Sequence, residues 1–170
     1  KEIRKSFIPE SGFKLVCFDY SQIELRLLAQ IADIKPLKKA FLEKEDIHKL
    51  TASQILKIPI DKVSEDQRRS AKAINFGIIY GLSAFGLSKQ IGVTRTEAKN
   101  YIEAYFLQYP GINKYMDNIK KYLNINGYVE TLFGRKVNII GYQDKNPMIR
   151  NYANRQEINA HIQGTDADII

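Results

Sequence analysis

The apolar positions of this chain fall mostly at helical spacing, after one short continuous run near its start. That run, Phe13 to Phe18 (Phe-Lys-Leu-Val-Cys-Phe), predicts a buried strand with Asp19 at its C-terminal end. Ser21-Gln-Ile-Glu24 matches a capping box and predicts a helix through Arg26 and Leu28 to about Ala32. Pro36 allows a short helix to Leu42, and Asp46 caps another through Leu56. A second capping box, Ser64-Glu-Asp-Gln67, opens a helix that Gly81 ends. Further helices are predicted from Ser83 to Ile91, from the third box Thr94-Arg-Thr-Glu97 to near Tyr109-Pro110-Gly111, and onward to Asn126, with Gly127 as the stop. Tyr128 to Leu132 and Arg135 to Ile140 predict a hairpin around Phe133-Gly134. Asn146-Pro147 is an N-cap and N1 pair for a last long helix to about Ile162. Strand, many helices, hairpin and helix in that order imply an α+β fold, mostly helical.

Composition narrows the partners. The 170 residues suffice for one domain with a real core, and 44% hydrophobic with 26% charged residues fits a soluble globular protein. Twenty-six Lys and Arg against 19 Asp and Glu give a net charge of +7, which favours an anionic partner. The single cysteine, Cys17, excludes an internal disulfide and fits a reducing compartment. No long apolar run marks a membrane span, so no membrane partner and a cytoplasmic location are expected. The sequence starts without Met and stops at Asp166-Ala-Asp-Ile-Ile170, where a new helix is expected to begin, so it reads as a piece of a longer chain.

Chemistry concentrates in two places. In Arg68 to Gly81 (Arg-Arg-Ser-Ala-Lys-Ala-Ile-Asn-Phe-Gly-Ile-Ile-Tyr-Gly), Arg68, Lys72, Phe76 and Tyr80 recur every fourth residue and share one arc of the helix. Ala71, Ile74 and Ile78 occupy a separate, core-facing arc. Cations at one end of the stripe and flat rings at the other suit a nucleoside triphosphate, phosphates on Lys and Arg and base on a ring. Taken alone, the same stripe is equally a core edge and a solvated face. The second place is Asp19, a carboxylate where a strand meets a helix start; the neighbouring Tyr20 carbonyl offers another hard oxygen for Mg²⁺. Taken alone, Asp19 is equally a turn residue, and Glu24 the reciprocal member of its capping box.

The run Asp19-Tyr-Ser-Gln-Ile-Glu-Leu-Arg26 resembles motif A of family A DNA polymerases, and Arg68 to Gly81 resembles their motif B. Asp46-Ile-His48, Tyr105-Phe106 with Tyr109-Pro110-Gly111, Gly127-Tyr-Val-Glu-Thr131 and Gln163-Gly-Thr165 follow in the family's order, so the resemblance covers nearly the whole chain. It implies a fragment of a right-hand polymerase, part of the palm plus the fingers. Residues 1–32 would be a palm segment with motif A, 33–145 the fingers with motif B, and 146–170 a return toward the palm that stops before motif C and its second metal-binding aspartate.

The resemblance also implies roles. Asp19, helped by the Tyr20 carbonyl, would bind two catalytic Mg²⁺ ions. Lys72, Arg68 and His48 would contact the triphosphate of the incoming deoxynucleotide, and Phe76 would stack beside its sugar and base. Tyr80 would sit at the pivot against the template with Gly81, while Gln22 would lie near the primer and nascent pair. Glu24 would exclude a ribose 2′-OH and hydrogen-bond Tyr80 across the site. Arg155, Asn159 and Gln163 resemble residues that follow the minor groove of primer-template DNA. His161 stands where the family often has proline and reads as a packing variant. Asp166 and Asp168 read as first-turn acids of a helix after Thr165. The implied activity is template-directed DNA synthesis in replication and repair by a monomeric, nucleoid-associated enzyme, with the fragment alone inactive. Two alternatives are a single-subunit RNA polymerase, which shares the Arg…Lys…Tyr-Gly helix but lacks the run after the aspartate, and a basic helical module that binds nucleic acid without chemistry.

Overall fold

The computed structural model describes residues 2–170 and is mostly helical. Among the described residues eight α-helices run in order: α1 (Ile23–Ile31), α2 (Lys35–Leu42), α3 (Ile47–Leu56), α4 (Glu65–Ile79), α5 (Ala84–Ile91), α6 (Arg95–Gln108), α7 (Pro110–Asn126) and α8 (Pro147–Ile169). Between α7 and α8, β1 (Tyr128–Glu130) pairs antiparallel with β2 (Lys136–Asn138), with Val129 opposite Val137. No described helix is long and apolar enough to cross a membrane.

Most helix starts are fixed locally, as the sequence predicts. Ser64 Oγ accepts from the Gln67 amide while the Gln67 side chain accepts from the Ser64 amide, closing a capping box on α4. Thr94 and Glu97 do the same for α6. The Asp46 carboxylate accepts from the His48 and Lys49 amides at the head of α3. Gly127, at φ 79°, lets the chain leave α7 in the left-handed conformation that a side chain would resist.

Every helix contributes to one core. Leu25 and Leu28 of α1, Leu37 of α2, Ile47 of α3, Ile74 and Ile78 of α4, Leu87 of α5, Tyr105 of α6, Ile112 of α7, and Ile158 and Ile162 of α8 are all nearly inaccessible and pack together. A smaller cluster of Leu123, Val129, Ile139 and Ala153 seats the hairpin on α7 and α8.

Three expectations are corrected. Phe13 to Phe18 forms no strand; the stretch is irregular and exposed, with Phe18 91% accessible. A strand needs a neighbour for its backbone N–H and C=O groups, and the only described strands already pair with each other. Second, Ser21 does not cap α1. Gln22 takes the N-cap position in the left-handed conformation, at φ 55°, with no side-chain cap. Third, α8 continues through Gly164 to Ile169, so no new helix begins after Thr165, and Asp166 and Asp168 lie near a C-terminus instead of in a first turn. Asp168 has another task. It accepts from Thr131 Oγ1 at 2.6 Å and from Arg135 Nε at 2.7 Å, tying the hairpin turn to the end of α8.

Candidate functional site

Helix α4 separates its two arcs as predicted. Ala71, Ile74 and Ile78 are buried, whereas Lys72 is exposed and Arg68 and Phe76 are half-buried on the other side. Lys72 and Phe76 line a cavity of about 540 Å³ between α4 and the end of α5, together with Arg69 and Gln90. That volume lies within the range of small-ligand sites. Arg68 does not line this cavity; its Nε donates to the Asp46 carboxylate at 2.7 Å. Burial would lift the Asp46 carboxyl, but Arg68 and the two capping amides outweigh it and hold Asp46 below the usual range. One carboxylate thus fixes both the start of α3 and the aim of Arg68.

His48 follows two residues later and is buried, its ring 5.9 Å from that of Phe76. Desolvation, reinforced by Arg68 and Lys72 and opposed by Asp46, lowers its pKa to about 4, so the ring is neutral at physiological pH. Asn75, wholly buried on the core arc of α4, meets His48 Nδ1 at 3.1 Å and Thr51 Oγ1 at 3.0 Å. The sequence reading passed over Asn75. A polar residue on the same arc as Ala71 and Ile78 was the available signal, since a buried amide requires partners.

At the other end of α4, the Tyr80 hydroxyl donates to Glu24 Oε2 at 2.6 Å, the bond expected across the site. Burial, then the Glu24 carboxylate, raises the phenol pKa, so Tyr80 remains a donor. This bond explains the lost capping box, because the Glu24 carboxylate turns to Tyr80 and not back to Ser21. Ser21 instead offers its carbonyl to Arg26 Nε at 2.9 Å. Gln22 keeps a buried side-chain oxygen without a partner among the described residues.

Tyr80 also lines a second cavity of about 410 Å³ with Tyr152, Arg155, Asn159 and Gln163 of α8. Arg155, Asn159 and Gln163 stand four residues apart and share one face of that helix. Gly81, at φ 64°, permits the junction; a Cβ there would meet Arg155 Cγ at 2.6 Å. The opposite face of α8 is buried and includes Glu157 and His161. His161 Nδ1 lies 2.8 Å from the Tyr115 hydroxyl, consistent with a packing role.

Asp19 and Tyr20 lie in the exposed irregular stretch ahead of α1. They offer hard oxygens of the kind Mg²⁺ takes. Among the described residues, however, no three acidic, imidazole or thiol side chains gather where an ion could sit. The residues present therefore do not make a two-ion centre by themselves.

The chain belongs to DNA polymerase family A, whose model matches residues 1–170. It is 50% identical over its whole length to DNA polymerase I of Pseudomonas aeruginosa and 48% identical to that of Deinococcus radiodurans, spanning 19% and 18% of those proteins. Among solved structures it resembles the POL domain of Pol1 from M. smegmatis in complex with DNA primer-template and dNTP. The TM-score is 0.82 and the identity 38%, over 89% of this chain and 27% of that one. The chain thus spans about a fifth of the length of the polymerases it matches in sequence.

Proposed function

We propose that this chain supplies the nucleotide-gripping helix and part of the DNA cradle of a polymerase that adds deoxynucleoside triphosphates to a primer 3′ end under template direction, in replication and repair. Tyr80 is the observation that carries this reading. Its hydroxyl is bound to Glu24, its helix presents Lys72 and Phe76 to one cavity, and its ring shares another with Arg155, Asn159 and Gln163. Cations and a ring beside one cavity fit a triphosphate and its nucleoside. Polar side chains four residues apart along α8 fit the regularly spaced acceptors of a duplex groove.

In this reading residues 1–32 and 146–170 belong to the palm and residues 33–145 to the fingers. Lys72 and Arg68 hold phosphate oxygens, Phe76 packs on the nucleoside, and Glu24 fills the space a 2′-OH needs. Gln22 lies beside the nascent pair, with Tyr80 and Gly81 next to the template. Asp19 and the Tyr20 carbonyl would hold Mg²⁺ together with further carboxylates, and the metal would supply neutralisation of the phosphoryl charge. The enzyme works as a cytoplasmic, nucleoid-associated monomer, and the isolated segment binds DNA weakly through its positive charge without extending primers.

The test is Lys72→Ala in the full-length polymerase. Removing one preorganised cation from the phosphoryl-transfer site should slow single-nucleotide incorporation by roughly 10²–10³-fold, with primer-template affinity changed far less. Equal losses of rate and DNA affinity would mark Lys72 as a backbone contact and overturn its assignment.

A further inference from the structure

The assignment of His48 to the triphosphate, on which the following rests, leaves open which ring nitrogen faces the ligand and whether it carries a proton. Both follow from the buried polar chain behind it. Thr51 Oγ1 lies 2.8 Å from the Ile47 carbonyl, an atom that only accepts, so the single hydroxyl proton of Thr51 goes there. Both ends of the Asn75 amide reach the Thr51 oxygen, Nδ2 at 3.0 Å and Oδ1 at 3.2 Å; with the hydroxyl proton on the Ile47 carbonyl, Thr51 accepts from the nearer, Nδ2. This places the NH₂ end of the Asn75 amide toward Thr51 and toward His48 Nδ1, 3.1 Å away. An amide NH₂ only donates, so Nδ1 must be the accepting nitrogen, and in a neutral imidazole the proton then sits on Nε2.

We propose that Asn75 is a positioning residue that locks His48 in the Nε2–H tautomer, so that the imidazole presents a neutral hydrogen-bond donor to a phosphate oxygen of the incoming nucleotide. A donor without charge has a specific use here. The same phosphates are served by Arg68 and Lys72, and a third cation between them would repel both. With Nδ1 held by Asn75, a phosphate oxygen meets an N–H and never a lone pair. The charged groups acting on the ring are Asp46 ahead of α3 and Arg68 and Lys72 on α4. The two cations oppose a second proton on the ring, while Asp46 is engaged by Arg68 and the capping amides.

The direct test needs no substitution at Asn75. Full-length polymerase labelled with ¹⁵N-histidine, with His48→Gln identifying the resonance, should show His48 protonated on Nε2 and unprotonated on Nδ1 throughout pH 6–8.5. An Nδ1–H ring, or one that titrates in this window, overturns the proposal. Kinetics supply the second reading. Asn75→Leu frees the ring and should raise KM for the nucleotide about 10-fold or more, the loss expected for one hydrogen bond to a charged group, with kcat reduced less. Asn75→Asp should be more telling, because a carboxylate reverses the tautomer and pulls a second proton onto the ring. Its nucleotide affinity should fall as pH rises from 6 to 8.5, while the wild type stays flat. An Asn75→Asp profile parallel to wild type overturns the proposal. If His48→Gln itself leaves KM unchanged, the triphosphate contact fails while the tautomer measurement still decides the role of Asn75.

Discussion

Glu157 should make the α7–α8 interface weaken as pH rises, and its amide counterpart should remove that weakness. The side chain is only 4% exposed on the inner face of α8, and one carboxylate oxygen has no partner among the described residues. Desolvation raises its pKa from 4.5 to about 7, with Lys120 of α7 opposing only in part. A carboxyl that holds its proton longer folded than unfolded contributes stability at low pH, lost as pH climbs through the folded value. At 1.36 kcal/mol per pH unit, the full penalty above pH 8 is about 3 kcal/mol, of which about 1 kcal/mol is already present at pH 5. Glu157→Gln keeps the shape and cannot ionise. Its advantage over wild type should therefore grow by about 2 kcal/mol between pH 5 and 8.5, roughly 30-fold in the opening equilibrium. Amide hydrogen exchange in α8, compared between the two full-length proteins at matched pH, reads this ratio with intrinsic exchange rates cancelled. His161, one turn on, has its pKa lowered by burial and so destabilises on acidification, but it does so in both proteins. Exchange ratios independent of pH would show that the carboxyl is solvated and would refute the reasoning.

Two other substitutions test separate parts of the structure. Glu24→Ala should raise ribonucleotide incorporation relative to deoxynucleotide in the full-length enzyme; unchanged sugar preference would leave Glu24 only its bond to Tyr80. Gly111→Ala should destabilise by about 1–3 kcal/mol, as overpacking does, because a Cβ there would run into the Ala32 carbonyl at the end of α1. Thermal unfolding unchanged from wild type would mean that α1 and α7 separate without cost.

The helices were legible because what starts them is local. Ser64 with Gln67, Thr94 with Glu97, and Asp46 each find their partners within three residues, and a sequence displays such pairs openly. Misreadings arose where a distant residue outbid a near one. Glu24 is within reach of Ser21, yet Tyr80, 56 positions away, takes its carboxylate. The last helix, expected to end near Ile162, runs on through Gly164, where a Cβ would meet Thr131 Cγ2 of the hairpin at 2.7 Å. Phe13 to Phe18 carries the pattern of a buried strand without the neighbour a strand requires. Of the candidate site, the α4 stripe was readable as a periodicity and the α8 residues only through the family resemblance, whereas Asn75 acquires its meaning only when α3 lies against α4.

The packing of α1 against α8 also sets a clock on synthesis. Ile158 and Ile162 close over the same core as Leu25 and Leu28 but leave the ribosome some 130 residues after them. At about 5–20 residues per second, that interval is roughly 6–25 s. Helices α3 to α6 contact one another and can assemble meanwhile, and α1 can pack on α2, but the part of its leucine face that α8 covers must wait. The nascent chain thus offers an apolar helix to any holding chaperone for many seconds. The joint at Tyr80, Glu24 and Arg155 then waits for α8, so a product stalled before Arg155 would carry α4 without its seat.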